Sequence, residues 1–216
     1  MVLTLADISH DYGGQRVLDH FTLDLPKGRH SLLLGPSGSG KTTLINLIAG
    51  LLTPKSGSVT VGGETMSTLK PAARDDLRRR RIGLIFQTLR LVSALDLRSN
   101  LLLAQRLSGT AHDGREIDAL LDRLDLGHRA KGFPRELSQG EAQRAAIARA
   151  LIGKPDLLIA DEPTSALDDA NMTRVAKLLI ETADANGSTL LIATHDARLR
   201  EHIPGAIRLT PLAMAA

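Results

Sequence analysis

Residues 35–42 read Gly35-Pro36-Ser37-Gly38-Ser39-Gly40-Lys41-Thr42, the pattern G-x-x-x-x-G-K-T. Glycines at these positions let the backbone wrap tightly, so that successive N–H groups point into one concavity and offer it to an anion. A helix beginning at the end of the loop adds the partial positive charge of its N-terminus. In this arrangement the Lys41 ammonium reaches the β- and γ-phosphates of a nucleotide, and the Thr42 hydroxyl ligates Mg²⁺, with Thr43 in the same phosphate-binding set. A second element, Leu157-Leu158-Ile159-Ala160-Asp161-Glu162-Pro163, is an apolar run ending in two carboxylates. In an open α/β sheet ligands bind at the carboxyl ends of strands, so both acids are delivered to a site. Asp161 then holds Mg²⁺ through water, and Glu162 polarises an attacking water. The chemistry these residues predict is binding and hydrolysis of a nucleoside triphosphate. An ordinary Gly/Ser loop and a strand ending in solvated acids are the bland alternatives, and finding both elements together argues against them.

The elements needed to position these groups are legible around them. Ser31–Leu34 (SLLL) is a short apolar run leading into the loop, and residues 41–51 read as the helix leaving it. Residues 2–8 and 17–25 alternate apolar and polar, as half-buried strands do, and residues 58–61 form a further strand closed by Gly62-Gly63. Residues 82–86, 157–160 and 189–194 are apolar runs suited to buried strands. Helical periodicity falls around residues 94–107, 115–125, 140–152 and 169–185. The expected fold is α/β: a P-loop NTPase with a mostly parallel core sheet, an N-terminal antiparallel β subdomain and a helical subdomain, roughly 88–155, inserted in one domain spanning 1–216.

Composition narrows the setting. Apolar residues make up 43% of the 216-residue chain but aromatics only 2%, so the core must be built from Leu, Ile, Val and Ala. With no cysteine, disulfides and thiolate metal sites are excluded. The formal charge of +3 is too mild to demand nucleic acid. The first residues lack a basic n-region, as a signal peptide would have, and no uncharged apolar stretch approaches the ~18 residues that span a bilayer. If the protein works at a membrane, another chain is expected to supply the spans. Arg78-Arg79-Arg80-Arg81 reads as a nucleic-acid patch, as the solvated C-terminal end of a helix or, as a weaker third reading, as a contact with membrane headgroups; Asp75 and Asp76 just before it favour the helix end.

Further motifs follow in a fixed order. Leu137-Ser138-Gln139-Gly140-Glu141-Ala142-Gln143-Arg144 resembles the L-S-G-G-Q signature of the ATP-binding cassette (ABC) family, with Gln139 and Glu141 replacing the usual glycine and glutamine. Gln87 resembles the family's Q-loop glutamine, Ser165-Ala166-Leu167-Asp168 its D-loop, His195 its switch histidine, and Tyr12 the aromatic that stacks on adenine. The resemblance runs from about residue 2 to residue 200. It implies an ATPase with ATP and Mg²⁺ as cofactors. Lys41, Glu162 and His195 would be catalytic. Tyr12, residues Gly35 to Thr43, Gln87, Ser138, Gly140, Glu141 and Asp168 would bind nucleotide. Thr42, Gln87 and, through water, Asp161 would hold the metal. It further implies a second copy of the chain, with two nucleotides sandwiched between head-to-tail subunits, and an integral membrane permease docking near residues 87–107. The expected place is the cytoplasmic face of the inner membrane.

The segment Arg81 to Gln87 and the Glu141 variant look similar to the lipoprotein-release, macrolide-export and cell-division cassettes. The short chain is expected to lack the C-terminal regulatory domain of many importers. A soluble ABC ATPase acting on nucleic acid or the ribosome is the alternative. No long heptad repeat separates Thr42 from Asp161, and one cassette is present rather than two, so no nucleic acid is expected.

Overall fold

Two sheets share one helix between them. In the computed structural model, which describes residues 1–110, 113–165 and 167–212, the chain opens with a long hairpin. Strand β1 (Leu3–Tyr12) pairs antiparallel with β2 (Gln15–Leu25) and with β4 (Ser56–Val61), which pairs with the two-residue β5 (Glu64–Thr65). The order of this first sheet is β2-β1-β4-β5. The second sheet is parallel throughout, ordered β6-β7-β8-β3-β9, from β3 (Ser31–Leu34), β6 (Ile82–Ile85), β7 (Leu157–Asp161), β8 (Thr189–Thr194) and β9 (Ala206–Arg208).

A parallel sheet covered on both faces must be apolar on both, and its residues divide by strict alternation. Leu32, Leu158, Ala160, Leu190 and Ile192 face one core, with helices α3 (Leu97–Ser108), α4 (Gly114–Arg123), α5 (Gln139–Leu151) and α6 (Asp169–Ala185) contributing to it. Leu33, Leu157, Ile159, Leu191 and Ala193 face the other, against α1 (Lys41–Ile48) and the antiparallel sheet. Because α1 is clamped between two sheets through Leu44, Ile45, Leu47 and Ile48, the phosphate loop at its N-terminus has a rigid base.

The expected mixed α/β architecture is observed, with differences at particular ends. Helix α3 begins at Leu97 rather than 94, because the Asp96 carboxylate accepts the Ser99 N–H at 2.7 Å and caps it there. The preceding loop is held open by the buried Asn100 amide, which accepts the Val92 N–H at 2.8 Å and donates to the carbonyls of Val92, Leu95 and Asp96 at 3.1, 3.0 and 3.0 Å. The sequence gives no sign of β9: Leu32 N–H donates to Gly205 O and Leu209 N–H to Leu34 O, adding a fifth strand beyond β3.

Helix α2 (Pro71–Arg81) opens on a proline and closes on the four arginines, all in its last turn. Each has an acid beside it: Arg78–Asp75 at 2.7 Å, Arg79–Asp76 at 3.3 Å, Arg80–Asp76 at 2.9 Å and Arg81–Asp156 at 2.6 Å. Glu64 lies 3.6 Å from both Arg80 and Arg81, so four carboxylates face the four arginines and the tetrad is a charge-balanced helix end. Among the described residues no helix is long and apolar enough to cross a membrane.

Candidate functional site

The loop joining β3 to α1 is built around two close approaches. A Cβ on Gly35 would lie 2.4 Å from Ser39 Oγ and 2.5 Å from Leu209 O, so only glycine fits. Gly40, the N-cap of α1, sits at φ 95°, where its missing side chain avoids both left-handed strain and Val17, whose Cγ1 would be 3.0 Å from a Cβ. Lys41 follows as the first helical residue and is 7% exposed. Its ammonium donates back to Gly35 O at 2.7 Å and Pro36 O at 3.2 Å, and lies 3.4 Å from Glu162 Oε1.

On the neighbouring strands, β7 ends at Asp161 and the chain turns through Glu162 at φ 49°. A side chain held in the left-handed region costs of order 1–3 kcal/mol and persists only where its surroundings fix it. Here the Glu162 N–H donates to Ala193 O at 2.8 Å on β8, and the Ser165 hydroxyl donates to Glu162 O at 3.0 Å. The turn aims the carboxylate between three groups: the Lys41 ammonium, the Thr194 hydroxyl, which donates to Oε2 at 3.2 Å, and His195 Nδ1, 3.0 Å from both oxygens. A carboxylate accepts, so the contact is an Nδ1–H of His195 donating to Glu162. Thr42 Oγ1 lies 3.4 Å from Asp161 Oδ2. Burial first, and the Glu162 charge second, push the Asp161 carboxyl above the usual carboxylate range. A divalent cation would reverse that pressure, and the hard oxygens of Thr42 and Asp161, with the Gln87 amide across the cavity, suit Mg²⁺.

Ser37, Gly38, Gly40, Lys41, Thr42, Thr43, Gln87, Asp161, Glu162 and His195 are thus brought around a single cavity of about 470 Å³. Gly35 and Pro36 reach it through the carbonyls on Lys41, and Ser39 is packed beneath the loop at 2% exposure. Val17 and Thr194 are not among the expected site residues, and Ser165 is named there only within the D-loop motif. Ser165 joins the cavity by accepting from Gln87 Nε2 at 3.4 Å. Its place in the D-loop motif was the available signal, whereas nothing in the sequence marks Val17.

Five expected residues stand away from this cavity. Tyr12 is at the hairpin end of β1, 50% exposed. Asp168 caps α6, accepting the Asn171 N–H at 2.8 Å, and Ala166, in the same motif, lies outside the described residues. Ser138 and Gly140 sit at the start of α5 with Glu141, where Ser138 Oγ accepts the Glu141 N–H at 3.3 Å and Glu141 Oε2 accepts the Ser138 N–H at 2.8 Å. This reciprocal cap explains the Glu141 variant. Gln139, the other variant, is the first helical residue with no positive φ, so glycine's freedom is not needed there.

Glu141 also accepts from Arg129 Nε at 2.7 Å and has His128 Nε2 at 3.4 Å. The Ser138 N–H first, and the Arg129 guanidinium next, hold its carboxyl down at about 2. A depressed carboxyl contributes stability above its unfolded value and loses it as the pH falls through the folded value. The cap is therefore expected to persist on acidification below pH 4.5 and to open as pH approaches about 2. In Arg129→Ala, NMR titration of Glu141 should give a higher pKa than wild type, still below the ordinary glutamate value.

Against known proteins, the family model described as ABC transporter matches residues 18–165. An uncharacterized ABC transporter ATP-binding protein of Mycobacterium tuberculosis is 39% identical over 197 residues, covering 90% of this chain and 79% of that one. The lipoprotein-releasing system ATP-binding protein LolD of Pseudomonas syringae pv. tomato is 40% identical over 195 residues, covering 89% and 86%. The solved dimeric structure of an ATP-binding cassette in a post-hydrolysis state, bound to ADP and Pi, superposes with a TM-score of 0.85 at 28% identity, covering 99% of this chain and 97% of that one.

Proposed function

This chain belongs to the ABC transporter family, and we propose that it is the ATP-hydrolysing subunit of a membrane complex, which pairs with a second copy around two ATP molecules and so drives a permease. The observation that carries the reading is the clustering of Lys41, Thr42, Asp161, Glu162 and His195 around one cavity. The reading assigns each a task. Lys41 and the loop amides bind the β- and γ-phosphates. Thr42, Gln87 and, through water, Asp161 hold Mg²⁺, which when bound neutralises charge on the phosphate oxygens. Glu162 accepts a proton from the attacking water, and His195 fixes the carboxylate through Nδ1–H. Tyr12 stacks on adenine. Ser138 and Gly140, at an α5 N-terminus remote from the cavity, take the γ-phosphate held by the second copy, with Asp168 beside that junction. A role on nucleic acid or the ribosome has no comparable support, since the relatives are ABC transporter subunits.

The proposed permease contact lies near residues 87–107. A groove of about 350 Å³ there is lined by Leu84, Phe86, Arg90, Val92, Leu103 and Leu107, and by Arg149. Val92, Leu103 and Leu107 are 41%, 36% and 51% exposed, an apolar patch left uncovered by the described residues. Arg90 lies 4.4 Å from the Phe86 ring centroid, and Arg149 donates to the Arg90 carbonyl. Apolar walls with two guanidiniums suit an amphipathic segment bearing a carboxylate. Work at the cytoplasmic membrane face follows from that partner.

In detergent extracts of native membranes, the tagged protein should bring down an integral membrane permease. Leu103→Asp combined with Leu107→Asp should abolish that recovery and leave the ATPase rate of the isolated subunit within about twofold, because surface changes of this kind rarely alter folding. Recovery of ribosomes or DNA in place of a permease would overturn the proposal.

A further inference from the structure

We propose that His10 is a positioning residue for base recognition, holding the Tyr12 ring in the attitude that receives adenine. The inference rests on the reading of Tyr12 as the base-stacking residue. Tyr12 ends β1 and is followed by Gly13 and Gly14, at φ 58° and 91°, which carry no side chains to support it. Among the described residues no hydrogen bond holds its hydroxyl, and half of the residue is exposed. Left to itself, such a ring would sample several rotamers and lose that freedom on binding.

His10 supplies the constraint. It stands two residues back on the same strand, beyond a register shift in the β1–β2 ladder between His10 and Asp11. Its ring is edge-to-face with Tyr12, centroids 5.0 Å apart and planes at 80°. Aromatic pairs prefer this geometry, and it leaves at least one Tyr12 face open for a base. Unlike Tyr12, His10 is anchored: it is 7% exposed and paired across the ladder with Leu18 of β2. Leu18 and Val17 in turn lie against Gly40, at 3.4 and 3.0 Å from where a Cβ would stand. One strand pair therefore sets both the base platform and the start of α1, fixing the span between adenine and phosphates.

The residue type adds to the case. His10 Nδ1 is buried with no hydrogen-bond partner. Leucine could fill this space without that cost, so packing alone does not account for a histidine here. What leucine lacks is a flat, polarised ring.

Tyr12 is the only tyrosine and the chain has no tryptophan, so intrinsic emission reports this one ring. ATP and inorganic triphosphate would be titrated against wild type, His10→Ala and His10→Phe, following emission and, for affinity, heat. ATP should change wild-type emission and triphosphate should not. His10→Ala should lose about three- to tenfold in ATP affinity, the equivalent of one aromatic pair, and keep wild-type triphosphate affinity. His10→Phe, which restores an edge-on ring, should bind ATP as wild type does. Equal losses for ATP and triphosphate in His10→Ala would mean a general structural role, and unchanged ATP affinity would mean no role; either overturns the proposal, as would a His10→Phe variant no better than His10→Ala. Wild-type emission indifferent to ATP would instead sink the stacking role of Tyr12 on which the inference stands.

Discussion

Lys41→Ala is expected to lower ATP affinity by about two to three orders of magnitude. The ammonium is buried at 7% exposure, donates to Gly35 O and Pro36 O at 2.7 and 3.2 Å, and lies 3.4 Å from Glu162 Oε1. It is the cation the loop folds around, held where phosphate oxygens would compete for the same protons. Hydrogen bonds to charged groups are worth about 1.5–3 kcal/mol each, so losing two to the phosphates amounts to roughly 3–4 kcal/mol or more. The substitution also removes the positive partner of Glu162, which then faces Asp161 across a partly desolvated cavity, and an uncompensated carboxylate repels a polyphosphate. Calorimetric titration with ATP measures the loss. Affinity equal to wild type would contradict the assignment of residues 35–42 as the phosphate site.

Glu162→Gln should have the opposite signature, with ATP binding retained and turnover cut by on the order of a hundredfold or more. The backbone bonds that hold this left-handed position, Glu162 N–H to Ala193 O at 2.8 Å and Ser165 Oγ–H to Glu162 O at 3.0 Å, do not involve the carboxylate. Glutamine therefore keeps the turn, and it keeps an oxygen for Thr194 or His195. What it lacks is the capacity to take a proton from water. Single-turnover measurements separate the steps, and wild-type turnover would remove Glu162 as the base.

The parts of the site carried by short-range rules are legible in the sequence itself. The loop pattern and the apolar runs 31–34 and 157–160 locate one strand–loop–helix and one strand–acid unit, because both depend only on local spacing. Residues whose contribution depends on the third dimension are not. Val17 lines the cavity because β2 crosses beneath Gly40, and no local pattern encodes a crossing. The three residues of β9 are too few to show a period and follow Pro204-Gly205, which reads as a turn. Glu141 was grouped with the nucleotide-binding set by resemblance, whereas its carboxylate is engaged by the Ser138 N–H and Arg129, leaving it as the clasp of the α5 cap. The start of α3 slipped by three residues because periodicity continues into the loop that Asn100 ties down, and only the Asp96 cap marks the true beginning.

Under the proposed function, hydrolysis at this cavity is completed by a second copy, since Ser138, Gly140 and Asp168 stand away from the cavity that gathers the other groups. Multi-angle light scattering on purified Glu162→Gln, with and without Mg-ATP, tests it most directly. The expected result is a monomer without nucleotide and a dimer with ATP, reverting to monomer when Lys41→Ala is added. A particle that stays monomeric at high protein and saturating ATP would contradict it.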